Sequence, residues 1–223
     1  MVKLYRNRRE AGRELAMMLR VYARHQNVLV LALPRGGVPV GYEVAKVLSA
    51  PLDVFVVRKL GVPGHEELAM GAIATGGICV VNEEVVAMLH IPREVIDAVT
   101  AKEQQELERR EHLYRDGLPP PDVNGYVIIL VDDGLATGST MRAAAEALRQ
   151  KHPARIVVAV PVSAPSTCEE FSTEVDEIVC AQRPEPFYGV GYWYEDFSQT
   201  SDSEVHDLLA QAEQENPVVS RKQ

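Results

Sequence analysis

Apolar positions along this chain follow two rhythms. Short apolar runs at residues 28–33, 127–131 and 156–160, and at 53–57 behind Asp53, have the pattern of strands covered on both faces. Residues 175–180, interrupted by Asp176 and Glu177, read as a fifth strand. Between them apolar residues repeat at helical spacing. Leu15, Met18, Leu19 and Tyr22 predict a helix over residues 8–24, and Val40, Val44, Val47 and Leu48 predict a second. A long charged helix opens at Pro92 and runs to about Tyr114, and another follows residue 140 and ends near Gln150. Alternation of this kind predicts an α/β fold, with a central, mostly parallel sheet flanked by helices.

Glycine and proline punctuate the pattern. Pro34-Arg35-Gly36-Gly37 breaks the first run, and residues 71–81 read as one or two short strands around Gly76-Gly77. The stretch 60–68, with two glycines, a proline and two glutamates, reads as a loop, as does the cluster Pro119-Pro120-Pro121. Ser201-Asp202-Ser203-Glu204 is a capping-box pattern ahead of Val205, Leu208, Leu209 and Ala212, predicting a terminal helix. Residues 213–223 are polar and read as a frayed tail. No internal repeat divides the chain, so residues 1–223 are expected to form a single domain.

Composition narrows the function classes. The 223 residues are 46% hydrophobic and 25% charged, an ordinary globular balance. A formal net charge of −9 with no evident basic patch disfavours a nucleic-acid partner. The apolar runs are too short to span a bilayer, and no targeting segment opens the chain. Cys79, Cys168 and Cys180 are scattered and odd in number, which points to a reducing, cytoplasmic setting without a disulfide framework. The six histidines show no helical metal-ligand pairing, and no Gly-x-Ser-x-Gly elbow marks a serine hydrolase.

The segment Val127-Ile-Ile-Leu-Val-Asp-Asp-Gly-Leu-Ala-Thr-Gly-Ser-Thr140 carries the most chemistry. A buried strand ends in two carboxylates, and a turn of small residues opens a helix. Such a turn aims backbone N–H groups at one point, and the helix start adds unpaired donors with partial positive charge. Thr137, Ser139 and Thr140 add hydroxyls, and Gly138 allows close backbone approach. Asp132 and Asp133 suit sugar hydroxyls, or a magnesium ion reached directly or through water. A plain strand, turn and capped helix is the rival reading. Two adjacent carboxylates directly after a buried strand weigh against it. The whole unit points to a phosphorylated small molecule bound with a divalent metal.

The segment from Val131 to Thr140 resembles the phosphoribosyl-pyrophosphate motif of the type I phosphoribosyltransferases. The turn is closer to the family's adenine branch, and over residues 31–44, 51–77, 127–140 and 187–205 the chain also resembles a stand-alone subgroup whose acceptor is not established. The resemblance implies that fold, with a small hood. It implies that Ala136, Thr137, Gly138, Ser139 and Thr140 cradle phosphate and that Asp132 and Asp133 hold ribose and Mg2+. It places Arg35, Gly36 and Gly37 in a pyrophosphate loop, with a cis peptide at Pro34–Arg35. Arg58 and Lys59, at the end of the second strand, would also meet pyrophosphate. Asp132, Asp133 and Arg35 are the implied catalytic residues. Residues 61–68 resemble the family's mobile loop in position but lack the lysine of the orotate branch, leaving His65, Glu66 and Glu67 as weak candidates. Ala136 stands where the hypoxanthine–guanine branch has an acidic residue, which weakens a 6-oxopurine acceptor.

Of thirteen aromatic residues, six fall between positions 187 and 197. Phe187, Tyr188 and Trp193 are candidates for stacking on a planar acceptor, and the competing reading is a satellite core or dimer contact. The expected function is transfer of ribose phosphate from phosphoribosyl pyrophosphate to a nitrogen acceptor, in a cytoplasmic homodimer. The rivals are a nucleotide-metabolite sensor without turnover on the same fold, and a phosphohydrolase or diphosphokinase.

Overall fold

The computed structural model describes residues 3–218. In chain order the elements are α1 (Arg8–Met18), β1 (Val28–Ala32), α2 (Gly37–Leu48), β2 (Leu52–Val54), β3 (Val57–Val62), β4 (His65–Ala74) and β5 (Ile78–Val81). There follow α3 (Glu83–Leu89), α4 (Arg93–Arg115), β6 (Val127–Val131), α5 (Ser139–Arg149), β7 (Arg155–Val162), α6 (Pro165–Phe171), β8 (Glu177–Gln182) and α7 (Asp202–Glu215).

Five strands form a wholly parallel sheet in the order β2-β1-β6-β7-β8. Every residue of β1 is buried, because alternate side chains enter cores on opposite faces. Val28, Val30 and Ala32 join one core with α1, α2 and α7, and Leu29 and Leu31 join another with α5 and α6. The chain leaves β1 towards β2 on one side and returns as β6 on the other. The order therefore reverses between β1 and β6, where open α/β sheets bind ligands beyond the strands' carboxyl ends. Ala32 pairs with Val131, which brings the two following loops side by side.

A separate antiparallel sheet, β3-β4-β5, revises the expected second strand and loop. The apolar run 53–57 serves both sheets. β2 ends at Val54, Val56 N–H is taken by Thr75 Oγ1, and β3 begins at Val57. Residues 60–68 form much of a hairpin, because Pro63-Gly64, with Gly64 at φ +79°, makes the turn between β3 and β4. Arg58 and Lys59 consequently lie within β3 rather than at a strand end.

Other boundaries shift modestly. The first helix tightens after Met18 into a 3-10 turn at Arg20–Tyr22, and the seven-residue helices α3 and α6 are too short for a periodic signal. Ser201 caps α7 through Glu204 N–H as expected, but α7 continues to Glu215, past the predicted start of fraying. The rest of that expected tail, residues 219–223, lies outside the described residues. Cys168 and Cys180 are joined in a disulfide, against the expectation of none. α6 and β8 are adjacent in the fold, which brings together two cysteines whose sequence spacing resembles no framework. At the end of α4, the buried Arg115 donates to Asp53 Oδ1 at 2.8 Å and to the Val54 carbonyl at 2.7 Å, pinning that helix to β2.

Candidate phosphate and ribose site

The turn after β6 is held from several sides. Thr167 Oγ1 on α6 donates to the Ala136 carbonyl at 2.7 Å, and Arg142 Nη1 on α5 donates to the Thr137 carbonyl at 2.8 Å. Arg142 is itself fixed by Glu170 and Glu174, and its guanidinium lies 4.9 Å from the Phe171 ring centre. Gly138 has φ +73°, and a Cβ there would collide with that same ring, so both conformation and space call for glycine. These contacts consume carbonyls and leave donors. Among the described residues, no acceptor is found for the N–H groups of Thr137, Gly138, Ser139 and Thr140. Asn7, Asn82 and Ser201 cap α1, α3 and α7 with side chains; α2 and α5, which begin at the two loops, have no side-chain cap, and neither do α4 and α6. Uncapped N–H groups at a helix start are an anion site in waiting. The hydroxyls of Thr137 and Ser139 lie 3.2 Å apart beside them.

The acidic pair sits at the opposite end of the turn. Asp132 Oδ1 accepts the N–H of Asp133 at 2.8 Å. Arg8 Nε donates to Asp133 Oδ2 at 2.8 Å, and Tyr194 donates its hydroxyl to the Asp133 carbonyl at 2.6 Å. Burial, and then the neighbouring carboxylate of Asp133, push the Asp132 carboxyl well above the usual aspartate range. Burial also raises Asp133, with Arg8 pulling the other way. Sharing charge with a cation or a hydroxyl donor would relieve both groups.

The loop 33–37 faces the acidic pair across the β1–β6 boundary. Its Pro34–Arg35 peptide is cis, as expected. At Gly36 a Cβ would collide with Asp133 Oδ2, so only glycine lets the loops approach this closely. One expected donor is already used: Gly37 N–H bonds the Leu33 carbonyl at 3.0 Å, because the loop closes on itself as α2 starts. Among the described residues, the N–H groups of Arg35 and Gly36 have no backbone acceptor. The Arg35 guanidinium lies 3.8 Å from Asp202 at the start of α7.

The remaining candidates are dispersed. Arg58 is ion-paired with Glu103 of α4 at 2.6 Å. Lys59 lines a cavity of about 370 Å³ that it shares with Ser139 and Thr140, under the antiparallel sheet. His65, Glu66 and Glu67 are exposed on the hairpin. In the aromatic segment, Phe187 and Trp193 pack against a satellite core of Tyr5, Ala11, Val162 and Tyr194, while Tyr188 is 69% exposed. That cap is stitched to the N-terminal segment by Tyr5 N–H to the Trp193 carbonyl and Glu195 N–H to the Tyr5 carbonyl. Trp193 Nε1 is buried without a partner. Sequence spacing gave no sign of Arg8 at the site. It reads as one more charged residue opening a helix, and only the fold carries it to Asp133.

A cation would find two carboxylates here. No cluster of three or more His, Cys, Asp or Glu occurs among the described residues. Two carboxylates are a donor set that magnesium commonly takes, completing its shell with water and substrate phosphate. No helix among the described residues is long and apolar enough to cross a membrane.

Known proteins share this fold and sequence pattern. The crystal structure of TT1426 from Thermus thermophilus superposes with a TM-score of 0.82 at 38% identity, covering 93% of this chain and 98% of that one. Two curated relatives from Mycobacterium tuberculosis strains, named "Putative phosphoribosyl transferase Rv0571c" and "Putative phosphoribosyl transferase MT0597", are each 45% identical over 211 residues, or 95% of this chain. The chain spans about half the length of these relatives, 47% of each. Residues 3–193 match the family model described as "Phosphoribosyl transferase domain", and the chain belongs to that family, of the type I fold.

Proposed function

We propose that this chain transfers the ribose phosphate of phosphoribosyl pyrophosphate to a nitrogen acceptor, releasing pyrophosphate. The observation that carries the reading is the turn after β6, where unpaired N–H groups at an uncapped helix start lie one short loop away from two adjacent carboxylates. The 5-phosphate takes the donors of residues 136–140, and the ribose hydroxyls donate to Asp132 and Asp133. Arg35 and the N–H groups of the 35–36 segment receive the diphosphate. Lys59 lines the cavity beside Thr140 but rests on the Glu67 carbonyl, and Arg58 is paired with Glu103, so each would first have to leave its partner to meet the diphosphate. Magnesium, held by Asp132 and Asp133 directly or through water, would supply charge neutralisation for the leaving diphosphate. The protein groups act mainly by positioning and by stabilising charge as the bond to pyrophosphate breaks.

The cap offers the place for the acceptor. Tyr188 and Tyr192, 69% and 70% exposed with ring centres 5.8 Å apart, are open to a planar acceptor, whereas Trp193 Nε1 is buried out of its reach. A second reading, a metabolite sensor without turnover, draws on the packing of Phe187 and Trp193 into the satellite core, which leaves little open stacking surface there. The two are separated by mixing the protein with phosphoribosyl pyrophosphate, Mg2+ and a library of nitrogen acceptors. Acceptor-dependent pyrophosphate release supports transfer. Tight binding with no release for any acceptor supports the sensor, and absence of binding overturns both.

A further inference from the structure

Arg8 opens α1, 125 positions before Asp133 in the chain. Three contacts of different kinds fix its side chain, which is 12% exposed. Nε donates to Asp133 Oδ2 at 2.8 Å, Nη1 donates to the Ser198 carbonyl at 2.7 Å, and the guanidinium carbon lies 4.0 Å from the Phe197 ring centre. An exposed ion pair contributes little, partly because two long side chains must be immobilised to form it. Here the ring and the carbonyl already immobilise one partner. The pair also abuts the opposite loop, since a Cβ on Gly36 would lie 3.2 Å from Arg8 Nε.

The geometry divides the Asp133 carboxylate in two. Oδ2 is held by Arg8, while among the described residues no side chain of another residue is found donating to Oδ1. The backbone behind it is fixed as well, through Tyr194 and the Asp133 carbonyl. We propose that Arg8 is a positioning residue for ribose recognition, an inference that rests on the phosphoribosyl reading of this site. It fixes the carboxylate so that Oδ1 faces the sugar hydroxyls. It also cancels one of two adjacent negative charges that a phosphorylated ligand would otherwise meet. A lysine would keep the charge, but its single ammonium on a flexible stem cannot hold Asp133, Ser198 and the Phe197 ring together.

A structural pin and a positioning residue differ in what they do to ligand preference. Loosening α1, or removing a positive charge, weakens every phosphorylated ligand alike. Losing the held carboxylate weakens only ligands that carry the diol. The test is calorimetric titration of the full chain and of R8Q and R8K with ribose 5-phosphate and with 2,3-dideoxyribose 5-phosphate, in Mg2+. The wild type is expected to prefer the diol by about tenfold, falling to within about twofold in R8Q and to an intermediate ratio in R8K. An unchanged preference in R8Q overturns the proposal, however much overall affinity falls. Should R8Q fail to fold, R8K decides by the same ratio, and wild-type preference in R8K overturns it. A wild type that binds neither ligand overturns the phosphoribosyl reading and this proposal together, an outcome distinct from a wild type that discriminates and a variant that does so equally well.

Discussion

The turn after β6 and the β3–β4 hairpin are both polar and glycine-bearing, yet the fold treats them oppositely. The turn is gripped by Thr167 and Phe171 of α6, Arg142 of α5, Tyr194 of the cap and Arg8 of α1, four separate segments. The hairpin end at residues 63–68 is exposed throughout, with Lys59 resting on the Glu67 carbonyl at 3.2 Å as one of its few side-chain ties. The difference shows where preorganisation resides. Donors aimed at an anion are useful only if they stay aimed without the ligand, and the turn meets that condition. Candidates on the hairpin have no fixed geometry to offer, so any part they play must be assembled by the ligand itself.

Two glycines put this contrast to its sharpest test. Gly138 and Gly64 both have positive φ, +73° and +79°, but a Cβ on Gly138 meets Phe171 whereas one on Gly64 meets nothing within 4 Å. Gly64→Ala should cost about 1 kcal/mol, the left-handed penalty alone. Gly138→Ala adds overpacking and should cost about 2–4 kcal/mol. Urea unfolding of both variants reads the difference directly. Equal losses would mean that the turn is no more tightly held than the hairpin.

The acidic pair should show the usual opposition between binding and stability. Asp132→Asn and Asp133→Asn are each expected to weaken phosphoribosyl pyrophosphate by about tenfold or more, the scale of a lost charged hydrogen bond, without unfolding the protein. Wild-type affinity in both, by calorimetry, would remove them from the site.

The same carboxylates give a pH signature in the ligand-free, chelator-treated protein. The folded-state pKa of Asp132 is raised above its ordinary value of 3.8, so its contribution to stability is fully present below that pH and is lost as pH rises through the raised value. Asp132→Asn should therefore melt higher than the wild type at neutral pH, with the gap closing towards pH 4. A wild type whose melting temperature is no lower than the variant's at pH 7 would contradict this burial argument.

The smallest effect belongs far from either region, at the contact between α7 and the end of α4. His206 Nε2 lies 2.9 Å from Asp116 Oδ1, and that hydrogen bond raises its pKa above the ordinary 6.5. The stabilisation is full below 6.5 and is lost as pH rises through the raised value. His206→Gln should thus melt slightly lower than the wild type near pH 6 and equally at pH 9, the difference being small because the pair is exposed. Thermal scans at the two pH values check it.

Much of the fold could be read from residue order because it depends on local rules. Apolar runs mark buried strands, and four of the five expected strands appear in the parallel sheet close to the expected residues; the capped start of α7 also falls where its capping box lies. The exception, residues 53–57, shows the limit of the method. Periodicity reports that a residue is buried, and not which sheet buries it, so one run that feeds two sheets reads as one strand. The Pro63-Gly64 hairpin has the sequence pattern of a loop because the polar residues beside its turn face solvent on an uncovered tip.

At the site, residue order is enough to find the groups whose chemistry is contiguous: Asp132 and Asp133, and the small residues 136–140 that follow a buried strand into a helix. Tertiary structure alone decided what surrounds them. Parallel pairing of Ala32 with Val131 set Gly36 against Asp133. α6, stapled to β8, came under the phosphate turn. Arg8 arrived from the first helix and Tyr194 from the cap. The physical reason is separation along the chain. A turn is encoded by the conformational preferences of adjacent residues, whereas a guanidinium reaches a carboxylate 125 positions away only after the cores on both faces of the sheet have closed.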